Sequence, residues 1–202
     1  MKKQFLFIFL LIALFATSAK SSPIGIRLGP QASLLYSQWK YSNSAYKYTP
    51  QFGYTLGLSL RVKILKIYFQ PELAYSNRRS TFEYDVSGTH YSNAISISTL
   101  DARLLFGVSL FKLESFALRF FAGPTISYII NQKIDNKTVS TSSSGFKDYF
   151  STVRAGVGFD FGNWNLDAGY DFGLGNAIKT SGEKLTMGMA FVTFGHKFHL
   201  KK

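Results

Sequence analysis

The chain has 202 residues, no cysteine and a formal net charge of +12, with 46% hydrophobic and 17% aromatic residues. Without thiols, neither a disulfide framework nor a thiolate metal site is available, so an exported form must rely on hydrogen-bonded architecture. The basic residues are scattered rather than gathered in runs, which argues against nucleic acid and for anionic lipid headgroups or lipopolysaccharide phosphates as partners.

A basic start, Lys2-Lys3, precedes an unbroken apolar run from Phe5 to Ala16. A spanning helix needs about 20 apolar residues. This run stops short, at Thr17-Ser18-Ala19, small residues that a signal peptidase accepts. Residues 1–19 are therefore expected to be a signal peptide and 20–202 a single β-barrel domain, its charge reduced to +10 by the loss of Lys2 and Lys3. No cysteine follows the run, so no lipoprotein anchor is expected.

From there on the hydrophobic pattern has period two, the mark of strands with one apolar and one polar face. In 24–34, Ile24, Ile26, Leu28, Ala32 and Leu34 oppose Gly25, Arg27, Gly29, Gln31 and Ser33. In 52–63, Phe52, Tyr54, Leu56, Leu58, Leu60 and Val62 oppose Gly53, Thr55, Gly57, Ser59, Arg61 and Lys63. Strands follow at 67–76, 100–106, 116–129, 150–162 and 164–175, with charges confined to the polar face. The last strand, about 185–198, is partly apolar on both faces, with Val192, Phe194 and Phe198 read as outward.

Eight such strands predict an all-β fold, an eight-stranded antiparallel transmembrane β-barrel of the outer-membrane type. The faces decide this. A soluble barrel buries its bulky apolar face, whereas here the glycines and charges suit a narrow lumen and the bulky aromatic face suits lipid. An open sheet in lipid would leave backbone groups unpaired, so the strands must close. The links alternate as well. Those at about 37–51, 77–94, 131–148 and 176–184 are long and polar, and are expected outside the cell. Those around Leu65, Phe111–Glu114 and Gly162–Asn163 are tight, which places both termini in the periplasm.

Gln70-Pro71-Glu72-Leu73-Ala74-Tyr75-Ser76 resembles the third strand of the PorT-like outer-membrane β-barrel proteins of the Bacteroidetes. Ala122-Gly123-Pro124-Thr125-Ile126-Ser127-Tyr128 is similar to their fifth strand. Thr99–Leu104 stands at their fourth, with Thr99 in place of a Tyr and Arg103 in place of a Pro. Gly156–Asp160, Ala168–Leu174 and Phe194–Phe198 resemble the sixth, seventh and closing strands, His196 replacing a Tyr. The resemblance implies a small porin-like barrel, a family whose namesake serves a protein secretion system.

The polar face puts Arg27, Arg61, Lys63, Arg103, Arg119 and Arg154 in the lumen with Glu72, Asp101, Asp160, Asp167 and Asp171. A charged lining could select ions. A salt-bridged plug is the preferred reading, because unpaired buried charges are costly and an eight-stranded lumen is filled by its own side chains. Glu72 is expected to pair with a lumenal arginine. Phe161 and Trp164 at the tight turns, and Tyr75, Tyr128 and Tyr170 near the other strand ends, fit interfacial girdles. Trp39, Tyr41, Tyr46 and Tyr48 in the first long link are read as rim anchors. Phe198 resembles the aromatic signal read by barrel-assembly machinery.

No catalytic site is expected. His90 with Ser87, Ser92 or Asp85 would be the candidate, but nothing holds a base against a nucleophile there. His196 and His199 lie at the opposite end. No metal-ligand spacing or phosphate-binding glycine pattern occurs, so no cofactor is expected. The reading is a structural or interaction barrel presenting its loops to a protein partner. A narrow solute channel is the alternative, and an accessory role in secretion the third.

Overall fold

The computed structural model describes residues 24–41, 46–86, 89–113, 116–134, 137–138, 147–174, 177 and 185–200. The expected signal peptide lies outside them. The strands are β1 (Ile24–Tyr41), β2 (Tyr46–Pro50), β3 (Phe52–Ile64), β4 (Ile67–Val86), β5 (Thr89–Leu113) and β6 (Phe116–Ile134). They continue with β7 (Lys137–Thr138), β8 (Tyr149–Phe161), β9 (Trp164–Gly173), β10 (Leu185–His196) and β11 (Phe198–His199). Eight long strands, β1, β3, β4, β5, β6, β8, β9 and β10, pair antiparallel in chain order, and β10 closes onto β1.

Following paired positions around the wall shows the closure and the stagger together. Lys63 leads through Tyr68, Gly107, Phe121, Gly156, Gly169, Phe191 and Leu35 back to β3, arriving at Gly53 instead of Lys63. Such an offset is what tilts the strands of a closed barrel. Every residue on this circuit points inward, and its glycines make room for the rings beside them. A Cβ on Gly107 would overlap the Tyr68 ring, and one on Gly169 would stand 2.9 Å from Phe191.

Two tight turns join β3 to β4 and β8 to β9, with Leu65 at φ 56° and Gly162 at φ 57°. Glycine adopts that left-handed backbone freely, whereas Leu65 holds it at a steric cost. Proline interrupts the ladder without shifting its register. Gly29-Pro30 faces the gap between β10 and β11, and Gly123-Pro124 faces a gap in the β5–β6 pairing. Proline has no N–H to donate, and the glycine before it lets a neighbouring carbonyl come close. A Cβ on Gly123 would overlap the Leu104 carbonyl oxygen, and Leu105 Cα would lie 2.9 Å away. Gly123→Ala is accordingly expected to lower stability by ~1–3 kcal/mol, read as a lower urea-unfolding midpoint with the barrel spectrum retained.

The outer face is a band of Leu56, Leu58, Leu73, Leu100, Leu104, Ile126 and Val192, all exposed on the isolated chain. The strands run further than the sequence pattern suggests. The links expected at 37–51, 77–94 and 131–148 contain the ends of β1, β4, β5 and β6 together with β2 and β7. β4 and β5 form one long hairpin, paired up to Val86 with Thr89, and β2 adds to its β4 side. In this projecting part the two faces exchange character. Outward stand Asn77, Arg79, Ser96 and Ser98, with Asn77 Nδ2 donating to Ser96 Oγ at 3.0 Å and Arg79 Nε to Asn77 Oδ1 at 3.1 Å. Inward stand Ile95 and Ile97, buried with Trp39, Ile129, Phe150, Ala177, Leu185 and Met187. The barrel is thus apolar outside along its Leu-rich band, and apolar inside but polar outside at its hairpin end.

Candidate functional site

The site is the lumen, and alternation builds it. Every second residue of β3, β4, β5, β6, β8 and β9 points inward, so charges spaced by two positions stack within one narrow space. Asp101 is the centre of the group nearer the hairpin end. It is fully buried, and its Oδ2 accepts from Arg78 Nη2 and Arg103 Nη2, both at 2.8 Å, and from Ser76 Oγ at 2.6 Å. Thr99 Oγ1 donates to Oδ1 at 2.7 Å, and Arg78 Nη1 also reaches Thr99 Oγ1. Glu72 lies across from Arg103, Oε2 to Nη1 at 3.4 Å. The Arg78 guanidinium rests over the Phe150 ring, so this group meets the apolar cluster above it.

Arg154 and Asp171 are direct partners in the β8–β9 register and form a two-pronged pair, Nε to Oδ1 and Nη2 to Oδ2, each 2.7 Å. The Arg154 guanidinium also stacks 3.9 Å from the centre of Phe191. Paired, planar and stacked, it has the arrangement in which arginine tolerates burial best.

A third group occupies the tight-turn end. Arg119 Nη2 contacts Asp167 Oδ1 at 2.6 Å, Nε contacts Asp160 Oδ2 at 2.9 Å, and Nη1 donates to Tyr68 Oη at 2.9 Å. Arg61 Nη1 reaches both Asp160 oxygens, at 2.8 and 3.0 Å, while its Nε donates to Gln70 Oε1 at 2.5 Å. Gln70 joins the groups, because its Nε2 donates to Glu72 Oε1 at 2.6 Å. The Asp101 and Arg119 groups are thus linked through Gln70, and the Arg154–Asp171 pair adds a further bridge to this lattice of charges in the same lumen. Its chemistry is neutralisation and filling, and its geometry holds each carboxylate against at least one guanidinium.

Nine of the eleven lumenal charges expected from the sequence enter this lattice: Arg61, Glu72, Asp101, Arg103, Arg119, Arg154, Asp160, Asp167 and Asp171. Arg27 does not. It sits half-buried at the tight-turn rim beside His199, and among the described residues no carboxylate pairs with it, Asp160 being taken up by Arg61 and Arg119. Lys63, also read as lumenal, donates to Ser109 Oγ at 2.9 Å near the same rim. Sequence reading missed Arg78, hidden in a stretch taken for a loop, and Lys197, buried where the last strand is apolar on both faces. Trp39 is not a rim anchor; it is buried in the inward cluster, because β1 continues through that position. The signal for this extension was the alternation Ile95-Ser96-Ile97-Ser98.

Of the expected girdle residues, Phe161 and Trp164 are exposed at the tight-turn end, where Trp164 stacks on Phe194 with ring centres 5.1 Å apart. Tyr75 and Tyr128 are exposed towards the other end, and Tyr170 is half-buried with its Oη donating to Gln38 Oε1 at 3.1 Å. Phe198 is exposed on the outer face. Ser87 and the side chains of Asp85 and His90 lie outside the described residues, as do those of Tyr41, Tyr46 and Tyr48; Ser92 is exposed.

Residues 15–179 match the family model described as outer membrane protein beta-barrel domain. The chain belongs to that family. As an outer-membrane β-barrel its outward Leu-rich band faces lipid, and pairing of β10 with β1 closes the wall behind that band. The fold is similar to OprG from Pseudomonas aeruginosa, with TM-score 0.52 and 16% identity over 90% of this chain and 99% of that one. It is likewise similar to Neisserial surface protein A, with TM-score 0.52 and 14% identity over 85% of this chain and 97% of that one. At these identities the likeness is one of fold. No curated protein matches the sequence.

Proposed function

We propose that this outer-membrane barrel acts through the surface it presents at its hairpin end, with its lumen closed to solutes. The observation that carries the reading is the filled interior: buried ion pairs lie beneath a buried apolar cluster, and both occupy the same lumen. A barrel of eight strands has little interior beyond what its own side chains fill. The outer-membrane arrangement of short periplasmic turns and long outer connections puts the hairpin end outside the cell and both termini in the periplasm.

The partners follow from that placement. Arg79, Ser96 and Lys133 are neighbours across β4, β5 and β6 on the outward face, with both basic side chains exposed just beyond the lipid-facing band. They suit the phosphates of lipopolysaccharide. The projecting hairpin is the surface for a protein partner, and exposed Phe198 is the group that assembly machinery would read. A PorT-like affiliation within the family is supported by Gln70–Ser76 and Ala122–Tyr128. The role proposed is binding rather than turnover.

Because the chain has no cysteine, single-cysteine labelling reads the placement directly. Ser92→Cys is expected to react with a membrane-impermeant maleimide on intact cells, and Asn163→Cys only after the outer membrane is opened. The reverse pattern would overturn the proposal.

A further inference from the structure

We propose that the tight-turn end of the lumen binds one small monovalent anion, chloride or an ion of its kind, between Lys197 and Arg61. Among the described residues the fully buried cations of the lumen, Arg61, Arg78, Arg103, Arg119, Arg154 and Lys197, outnumber the carboxylates Glu72, Asp101, Asp160, Asp167 and Asp171 by one, with half-buried Lys63 and Arg27 standing at the rim besides. The excess can be located. Each of the five arginines contacts at least one carboxylate, whereas Lys197 is buried to 2% exposure and, among the described residues, donates only to neutral oxygens, Ser59 Oγ and Gln70 Oε1, both at 3.2 Å.

Two further features converge on the same place. Gln70 Oε1 is shared, since Arg61 Nε donates to it at 2.5 Å, which brings two buried cations against one uncharged acceptor. Arg61 Nη2 is buried and has no acceptor of its own among the described residues. A buried donor left in that state is costly, and a buried cation without a counter-charge more so. One anion accepting from Lys197 Nζ and Arg61 Nη2 would satisfy the free donor, separate the two cations electrostatically and balance the fully buried charges. A monovalent ion matches the single fully buried cation left without a carboxylate among the described residues. The place is next to the β8–β9 turn, where Lys197 N donates to Asn163 O at 2.7 Å, so an ion would arrive from the solution on that side.

The test uses the whole mature chain refolded in lipid-detergent micelles. Urea unfolding is compared in sodium chloride and in sodium gluconate at equal ionic strength. At chloride about ten times its Kd the folded-to-unfolded ratio is expected to rise roughly tenfold over gluconate, and Lys197→Met is expected to abolish the difference. Native protein is also expected to broaden the chloride NMR resonance, an effect that bromide reverses by competition. Crystals grown in bromide should then show an anomalous peak within hydrogen-bond reach of Lys197 Nζ and Arg61 Nη2. Equal stability in the two salts, no broadening by native protein, or a chloride effect undiminished in Lys197→Met would each overturn the site. The native measurements decide the matter even if Lys197→Met does not fold.

Discussion

Asp101→Ala is expected to remove ~3–5 kcal/mol of stability, seen as the largest drop in urea-unfolding midpoint of any single lumenal substitution. The size follows from what is left behind. Asp101 is fully buried and receives two guanidinium groups and two hydroxyls. Taking the carboxylate away strands Arg78 with no carboxylate partner and leaves Arg103 with only the longer contact to Glu72, at 3.4 Å. Both guanidinium groups are buried, so neither can turn out to water and the charges remain unsolvated. The double substitution Arg78→Met with Asp101→Leu removes one cation along with the anion. It is expected to be less damaging than Asp101→Ala alone, because replacing a buried pair by apolar groups avoids an orphaned charge. If Asp101→Ala were as stable as the native chain, the lattice would not be holding the barrel interior together.

Trp39→Ala carries the second large expected effect, a loss of ~3–5 kcal/mol from emptying a buried aromatic position. Trp39 is 5% exposed and sits among Ile95, Ile97, Ile129, Phe150, Leu185 and Met187 inside the hairpin end. Removing the indole leaves a void walled by strands that cannot collapse without breaking their ladders. A lipid-facing control separates this from a general response to losing an aromatic. Tyr128→Ala, on the exposed outer face, is expected to cost far less in micelles. Trp39→Ala should still leave the lumen blocked, because the Asp101 group lies beneath the cluster.

Much of this was legible in the residues. Phe52 to Lys63 alternates without a fault, and the same residues alternate between outer and inner face in the barrel. Charge on the small-residue face was enough to assign the lumen. What escaped the reading has a common cause. Beyond Asn77 and Ser98 the outer face is no longer in lipid, so its residues become polar, and the strand looks like a serine-rich loop. Arg78 and Arg79 show the difficulty. They are adjacent and chemically identical, yet one is buried against Asp101 and the other is exposed. Only the parity of β4, carried past Ser76, tells them apart. Lys197 was hidden for the opposite reason, since Met187, Met189 and Phe191 make the inward face of β10 apolar and mask the position that follows.

The closed lumen is tested most directly by single-channel conductance of the refolded protein in planar bilayers across a range of salt concentrations. With folding and insertion shown independently, a silent bilayer is the predicted result, for native protein and for Trp39→Ala alike. Steady conductance by the native protein, altered when Arg119 is replaced by Ala, would contradict the account and make the charged lumen a path for ions.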